Sequence, residues 1–113
     1  MTNKKKIFVA GHNGMVGSAI YKKLKLNGYK NILVRPRKDL NLLDQSKTFH
    51  FLKKNKPYFV ILAAAKVGGI KDNAKNKDRF IYENLQIQNN IIHGSYLAGV
   101  KNLFLLGSSC IYP

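Results

Sequence analysis

Three glycines stand three residues apart in the run GHNGMVG (residues 11–17), directly after the short apolar stretch KIFVA and directly before a helical pattern. The chemistry this spacing suits is the holding of a diphosphate. The first turn of a helix has backbone N–H groups without intrahelical partners, and its dipole favours negative charge. Glycines let the chain turn tightly, let a phosphate approach the backbone and let the helix lie close to the strand. Gly11, His12, Asn13, Gly14, Met15, Val16 and Gly17 are therefore the candidate cradle. The spacing is G-x-x-G-x-x-G, with the middle glycine one position later than in G-x-G-x-x-G. Its place between strand and helix supports a dinucleotide site. The alternative is a glycine turn that holds no ligand.

A second set of residues bears on which dinucleotide would fit. An NAD site usually places an acid about 20 residues beyond the glycines, to take the ribose hydroxyls. Here Arg35 and Arg37 occupy that region and the nearest acid is Asp39. Guanidinium groups grip phosphate as a bidentate fork, so the pair suits the 2′-phosphate of NADPH or NADP. The alternative is two surface arginines in a lysine-rich chain. Asp44, closing the run Asn41-Leu42-Leu43-Asp44, either meets the adenine amino group or caps the next helix. Ala63, Ala64 and Ala65 either leave room for the cofactor's ribose or pack tightly at a strand end.

The elements that must position these residues follow from periodicity. Apolar runs at 6–10, 31–35, 58–63 and 103–107 read as strands buried on both faces. Between them, helices are expected over 14–27, from Asp44 to about 55, and over 78–97. Val16, Ile20 and Leu24 would face inward on the first helix, Phe49 and Leu52 on the second, and Ile81, Leu85, Ile92 and Tyr96 on the third. Gly28, Pro57 and Gly99 mark their ends. Helices between strands make the strands parallel, with right-handed crossovers. The expected fold is α/β, the N-terminal part of a Rossmann-type doubly wound sheet (β-α-β-α-β-α-β) with strands ordered 3-2-1-4.

Composition narrows the classes. A chain of 113 residues with 45% hydrophobic content can bury one core. No apolar run reaches the roughly 18–20 residues of a membrane span, and the start lacks a secretory leader, so the expected location is the cytoplasm. The single cysteine, Cys110, and the scattered His12, His50 and His93 offer no disulfide framework and no metal site. The net charge of +15 reads either as an acidic partner or as a solvated lysine-rich surface of a chain that is also rich in asparagine. The lysines are spread along the chain, so neither a nucleic-acid nor a membrane partner is expected.

Together GHNGMVGSAI, NLLD, AAAKVGGI and the terminal LGSSCIYP resemble the GDP-L-fucose synthases, extended short-chain dehydrogenase/reductases, over essentially all 113 residues. AAAKVGGI and GSSCIYP are the more specific segments, since the glycine motif is shared across the superfamily. The resemblance implies an NADPH-dependent enzyme that epimerises C3 and C5 of GDP-4-dehydro-6-deoxy-D-mannose and reduces its C4 ketone. It implies that residues 11–17 hold the pyrophosphate. Arg37, Lys38, Asp39, Leu40, Asn41 and Leu42 would line the adenosine end. Leu106, Gly107, Ser108 and Ser109 would run beside the nicotinamide half. Ser108 would polarise the substrate carbonyl, and Cys110 would exchange protons at the epimerised carbons. On the residues alone, Ser108 is also a turn residue and Cys110 a small buried side chain.

The loop KVGGI (66–70) either reaches toward substrate or is a flexible turn. Asn84, Asn90 and His93 match the family pattern in the third helix, where they either steady the active-site loops or stand in solvent or at an interface. A GDP-sugar substrate and a homodimer built partly on this helix come with the resemblance. It also implies a Tyr-x-x-x-Lys pair just beyond Pro113, so residues 1–113 are expected to be the first portion of an NADP-binding domain and inactive alone as a reductase. Asn13 stands where some relatives carry an arginine. A sugar epimerase or dehydratase of the same superfamily, or a non-catalytic basic module binding nucleotide or nucleic acid, are the competing expectations.

Overall fold

The computed structural model describes residues 4–63 and 77–106. In chain order these form β1 (Ile7–Ala10), α1 (Met15–Leu26), β2 (Ile32–Leu33), α2 (Gln45–Asn55), β3 (Phe59–Leu62), α3 (Lys77–Ala98) and β4 (Asn102–Leu105). All four strands pair in parallel, with Ile7 opposite both Ile32 and Phe59, and Phe59 opposite Asn102. The alternation of strand and helix expected from the sequence is present, and the fold is a Rossmann-type α/β sheet.

The strand order is β2-β1-β3-β4, which corrects the expected 3-2-1-4. After β2 the chain does not continue outward. It reverses across β1 and lays β3 on the far side. A right-handed crossover that reverses direction must also change face. Hence α2 and α3 share one face of the sheet, while α1 covers the other. The pairing of α2 with α3 is direct: the Phe49 and His93 rings are 5.6 Å apart, and a Cβ built on Gly94 would stand 2.8 Å from Leu52 Cδ1.

Central position explains burial. All four residues of β1 are buried, since both edges are paired and both faces covered. Phe8 and Ala10 join Leu40, Leu52, Val60, Leu62, Ile87 and Ile91 in the core on the α2–α3 face. By alternation Ile7 and Val9 point toward α1. Edge strand β2 is shorter than the five residues expected. Arg35 Nη1 donates to the Val34 carbonyl at 2.8 Å, and Pro36 then accepts from the Asp39 and Leu40 N–H groups, so the chain turns instead of extending the ladder.

Two helix faces differ from expectation. In α3 the buried residues include Asn84, Ile87, Asn90, Ile91, Gly94 and Ser95, whereas Leu85, Ile92 and Tyr96 are exposed. Gly94 allows close approach to Phe49 and Leu52 of α2, and that contact selects the buried side. In α1 Val16 is exposed and Gly17 is buried, because Gly17 is the point at which the helix touches the loop after β1.

Candidate functional site

The loop after β1 has the geometry its glycines require. Gly11 has φ 91, a left-handed conformation that side chains disfavour. Its carbonyl accepts from the Gly14 N–H at 3.1 Å and closes the turn. A Cβ on Gly17 would overlap that same carbonyl oxygen and stand 2.7 Å from its carbon. The third glycine is therefore a contact requirement between helix and loop. A Cβ on Gly14 would meet only the Gly11 oxygen, at 3.6 Å, so this glycine answers to whatever approaches from outside.

That approach is open. Gly14 is the N-cap of α1 and brings no side chain to cap it, and the first turn holds no acid. The helical ladder starts with the Ser18 N–H donating to the Gly14 carbonyl at 2.9 Å, so the N–H groups of Met15, Val16 and Gly17 precede it. Met15 is 89% exposed. The mouth of α1 thus presents donors and a positive dipole end to solvent, at the carboxyl edge of the central strand. These residues fit a diphosphate. His12 lies in the loop with its ring 6.4 Å from that of Tyr21, and Asn13 is exposed.

One strand away, Arg35, Arg37, Lys38 and Asp39 are exposed beyond β2. The Arg35 guanidinium stands 5.2 Å from the Phe51 ring centroid, toward the α2 side. Arg35 thus leans toward Phe51 of α2, and Arg37 stands exposed two residues further along the chain. Leu40 turns inward and joins the core, so what it can offer a ligand is backbone. Asn41 Oδ1 accepts from the Leu43 N–H at 3.0 Å, and the Asn41 carbonyl accepts from the Asp44 N–H at 2.9 Å. Asp44 Oδ1 accepts from the Lys47 N–H at 3.0 Å, which makes Asp44 the N-cap of α2.

A buried network that sequence reasoning did not assemble holds this segment. Asn90 Nδ2 donates to the Leu42 carbonyl at 2.8 Å, and Asn90 Oδ1 accepts from Gln86 Nε2 at 3.0 Å. Thr48 Oγ1 approaches the same Leu42 carbonyl at 3.5 Å. Asn90 is therefore a loop-steadying residue and not a solvated one. Its place on the face of Ile87 and Ile91, three and one residues away, was the available signal. His93, by contrast, is exposed and stacks 6.2 Å from Tyr96.

On the other side of β1, the Ala63 N–H donates to the Ala10 carbonyl at 2.8 Å, and the Leu106 N–H donates to the Leu62 carbonyl at 3.1 Å. Both extend the sheet toward the same carboxyl edge. Ala64, Ala65, the loop 66–70, Gly107, Ser108, Ser109 and Cys110 lie outside the described residues. Gly11–Gly17, Arg35–Asp44, Ala63 and Leu106 are thus brought to one edge.

Comparison with known proteins bears on the family and the fold. A GDP-L-fucose synthase from Escherichia coli (strain K12) is 47% identical over 111 residues, 98% of this chain and 35% of that protein. A putative GDP-L-fucose synthase 2 from Arabidopsis thaliana is 56% identical over 108 residues, 96% of this chain and 33% of that protein. The chain therefore spans about a third of the length of these curated relatives. The solved structure of a GDP-mannoheptose C4 reductase from Campylobacter jejuni with NADP bound matches with a TM-score of 0.87 and 40% identity, covering 95% of this chain and 34% of that one. The profile of the NAD dependent epimerase/dehydratase family matches residues 7–113, the whole span from the first strand onward. With the glycine cradle, the parallel sheet and that match in agreement, this chain belongs to the NAD dependent epimerase/dehydratase family.

Proposed function

We propose that this chain is the NADP-binding portion of a GDP-L-fucose synthase. The observation that carries the reading is the open mouth of α1, whose N–H groups and acid-free first turn face a loop that only glycine can close at Gly17. NADPH would lie along the carboxyl edge. Residues 11–17 would hold its diphosphate, Arg37 with Lys38 its 2′-phosphate, and the backbone of 40–42 its adenine side. Ala63, Ala64, Leu106 and Gly107 would flank the nicotinamide half. When bound, the cofactor supplies hydride.

The substrate is GDP-4-dehydro-6-deoxy-D-mannose, epimerised at C3 and C5 and reduced at C4. Ser108 donates a hydrogen bond to the carbonyl oxygen, where negative charge develops on reduction. Cys110 moves a proton at the carbons beside the ketone, which are acidic because the carbonyl delocalises the resulting charge. The family homodimer belongs to the same proposal. Tyr82, Leu85, Ile92 and Tyr96 form an exposed apolar stripe along α3 that a second copy would cover. Cytoplasmic location follows the same reading. Among the described residues no helix is long and apolar enough to cross a membrane.

The division of labour is tested at Cys110. In an enzyme of the relatives' full length, Cys110→Ser is expected to slow deuterium exchange at C3 and C5 by roughly 100-fold or more. Reduction of pre-epimerised substrate should fall far less. Equal losses in both steps would remove Cys110 from the proton transfer. A second reading, a 4-reductase for another GDP-sugar, is favoured by the likeness to the C. jejuni reductase. It predicts ketone reduction without exchange at C3 and C5 in the unsubstituted enzyme.

A further inference from the structure

The edge of the sheet opposite the cradle carries a charge distribution that cofactor binding does not use. In a parallel sheet with helical returns, strand starts and helix ends meet on one edge. Lysine occupies positions 4, 5 and 6 before β1, 30 before β2, 56 after α2 and 101 before β4. The last turns of α1 and α2 add Lys23, Lys25, Lys53 and Lys54. All of these except Lys5 are exposed. Hydrogen bonds join the segments into one surface: Asn31 Nδ2 to the Lys4 carbonyl at 2.6 Å, Lys6 Nζ to the Asn55 carbonyl at 3.0 Å, and Asn102 Nδ2 to the Tyr58 carbonyl at 3.2 Å. The four described acids, Asp39, Asp44, Asp78 and Glu83, follow β2 or begin α2 and α3, away from this edge.

Helix dipoles account for little of this. Each carboxyl end contributes roughly half a negative charge, so three helices offset only a small part of ten lysines. Charges within roughly 10 Å of one another reinforce at moderate salt, so the edge projects a strong positive potential.

We infer that this amino edge is a docking surface for an anionic lipid bilayer. The strand starts stand in register, Ile7 opposite Ile32 and Phe59 and Phe59 opposite Asn102, so the lysines that precede them line one edge, which suits a broad array of charge. The basic groups there are lysines, the compact point charges that attract headgroups diffusely; Arg35, Arg37 and Arg79, with their directional forks, lie at the opposite edge. Nucleic acid fits less well. Tyr58 is the aromatic ring at the centre of the edge, and the Lys5 ammonium sits 3.6 Å from its centroid, over the face a base would need. A second copy fits less well too, because the whole chain has five acids. Leu26, 84% exposed between Lys25 and Lys30, supplies an apolar point at headgroup depth. Docked this way, the cradle faces solvent. The inference does not depend on the cofactor reading.

Flotation of the 113-residue chain with vesicles tests it. Binding to vesicles of about one-third phosphatidylglycerol should exceed binding to pure phosphatidylcholine by about tenfold or more, and should vanish near 0.5 M salt. The double variant Lys25→Gln/Lys54→Gln should lose about tenfold in vesicle affinity. Lys47→Gln/Arg79→Gln, which removes the same charge from the opposite edge, should lose no more than about twofold. Circular dichroism of both variants separates lost docking from lost folding. Equal losses in the two variants would show that net charge alone acts, and overturn the inference. So would indifference to anionic lipid, or tighter binding to single-stranded poly(U) than to the vesicles.

Discussion

Gly14 and Gly17 differ in what an added methyl group would meet, and that difference separates two functions inside one motif. At Gly17 the methyl overlaps the Gly11 carbonyl, so Gly17→Ala should push α1 away from the loop and cost about 2 kcal/mol or more in denaturant unfolding. At Gly14 the space is open and φ is −79, so Gly14→Ala should change stability by less than about 1 kcal/mol. Both should weaken NADPH binding, Gly14→Ala because its methyl stands where a phosphate oxygen must approach. A Gly14→Ala protein that is stable and binds normally would place the diphosphate elsewhere. The glycine spacing was legible in the sequence because close approach leaves no other residue type in place. The division of Arg35 from Arg37 was not, since the contact of Arg35 with Phe51 depends on where α2 lies.

At the scale of elements, α3 decides how firmly the adenosine side is held. It carries two apolar stripes, one through Ile87, Ile91 and Ala98 and one through Leu85, Ile92 and Tyr96. Periodicity alone gives both a helical repeat, and the second is the one expected to face inward. The first is buried because Gly94 beside it admits α2. Asn90, one of the polar residues on that face, reaches the Leu42 carbonyl across 48 positions of chain, a pairing no local pattern encodes. Asn90→Ala should lower stability by about 1–3 kcal/mol, through the lost bond and an unpaired carbonyl. If the loop is held as argued, affinity for 2′,5′-ADP should fall more than affinity for nicotinamide mononucleotide. Unchanged unfolding in urea would mean that the bond contributes nothing.

Across the whole molecule, strand number, direction and approximate limits were readable, because each strand is a short apolar run between a helix end and a turn. Strand order was not, since it depends on which way the chain turns after β2. The turn at Pro36 to Leu40 and the pairing of α2 with α3 resolve it in favour of β2-β1-β3-β4. That order sets β1 at the centre, with the glycine mouth between the arginine-bearing loop and the ends of β3 and β4. The same topology gathers ten of the lysines at one edge and the described acids toward the other, a segregation hidden in a chain whose basic residues look evenly spaced. Isothermal titration of the 113-residue chain with NADPH and with NADH, beside Arg37→Ala, addresses the central claim most directly. The predicted result is saturable one-to-one binding, about tenfold or more tighter for NADPH, with that preference lost in Arg37→Ala. Absence of binding to either dinucleotide would contradict the cradle at residues 11–17, and equal affinity for both would contradict the role given to Arg37.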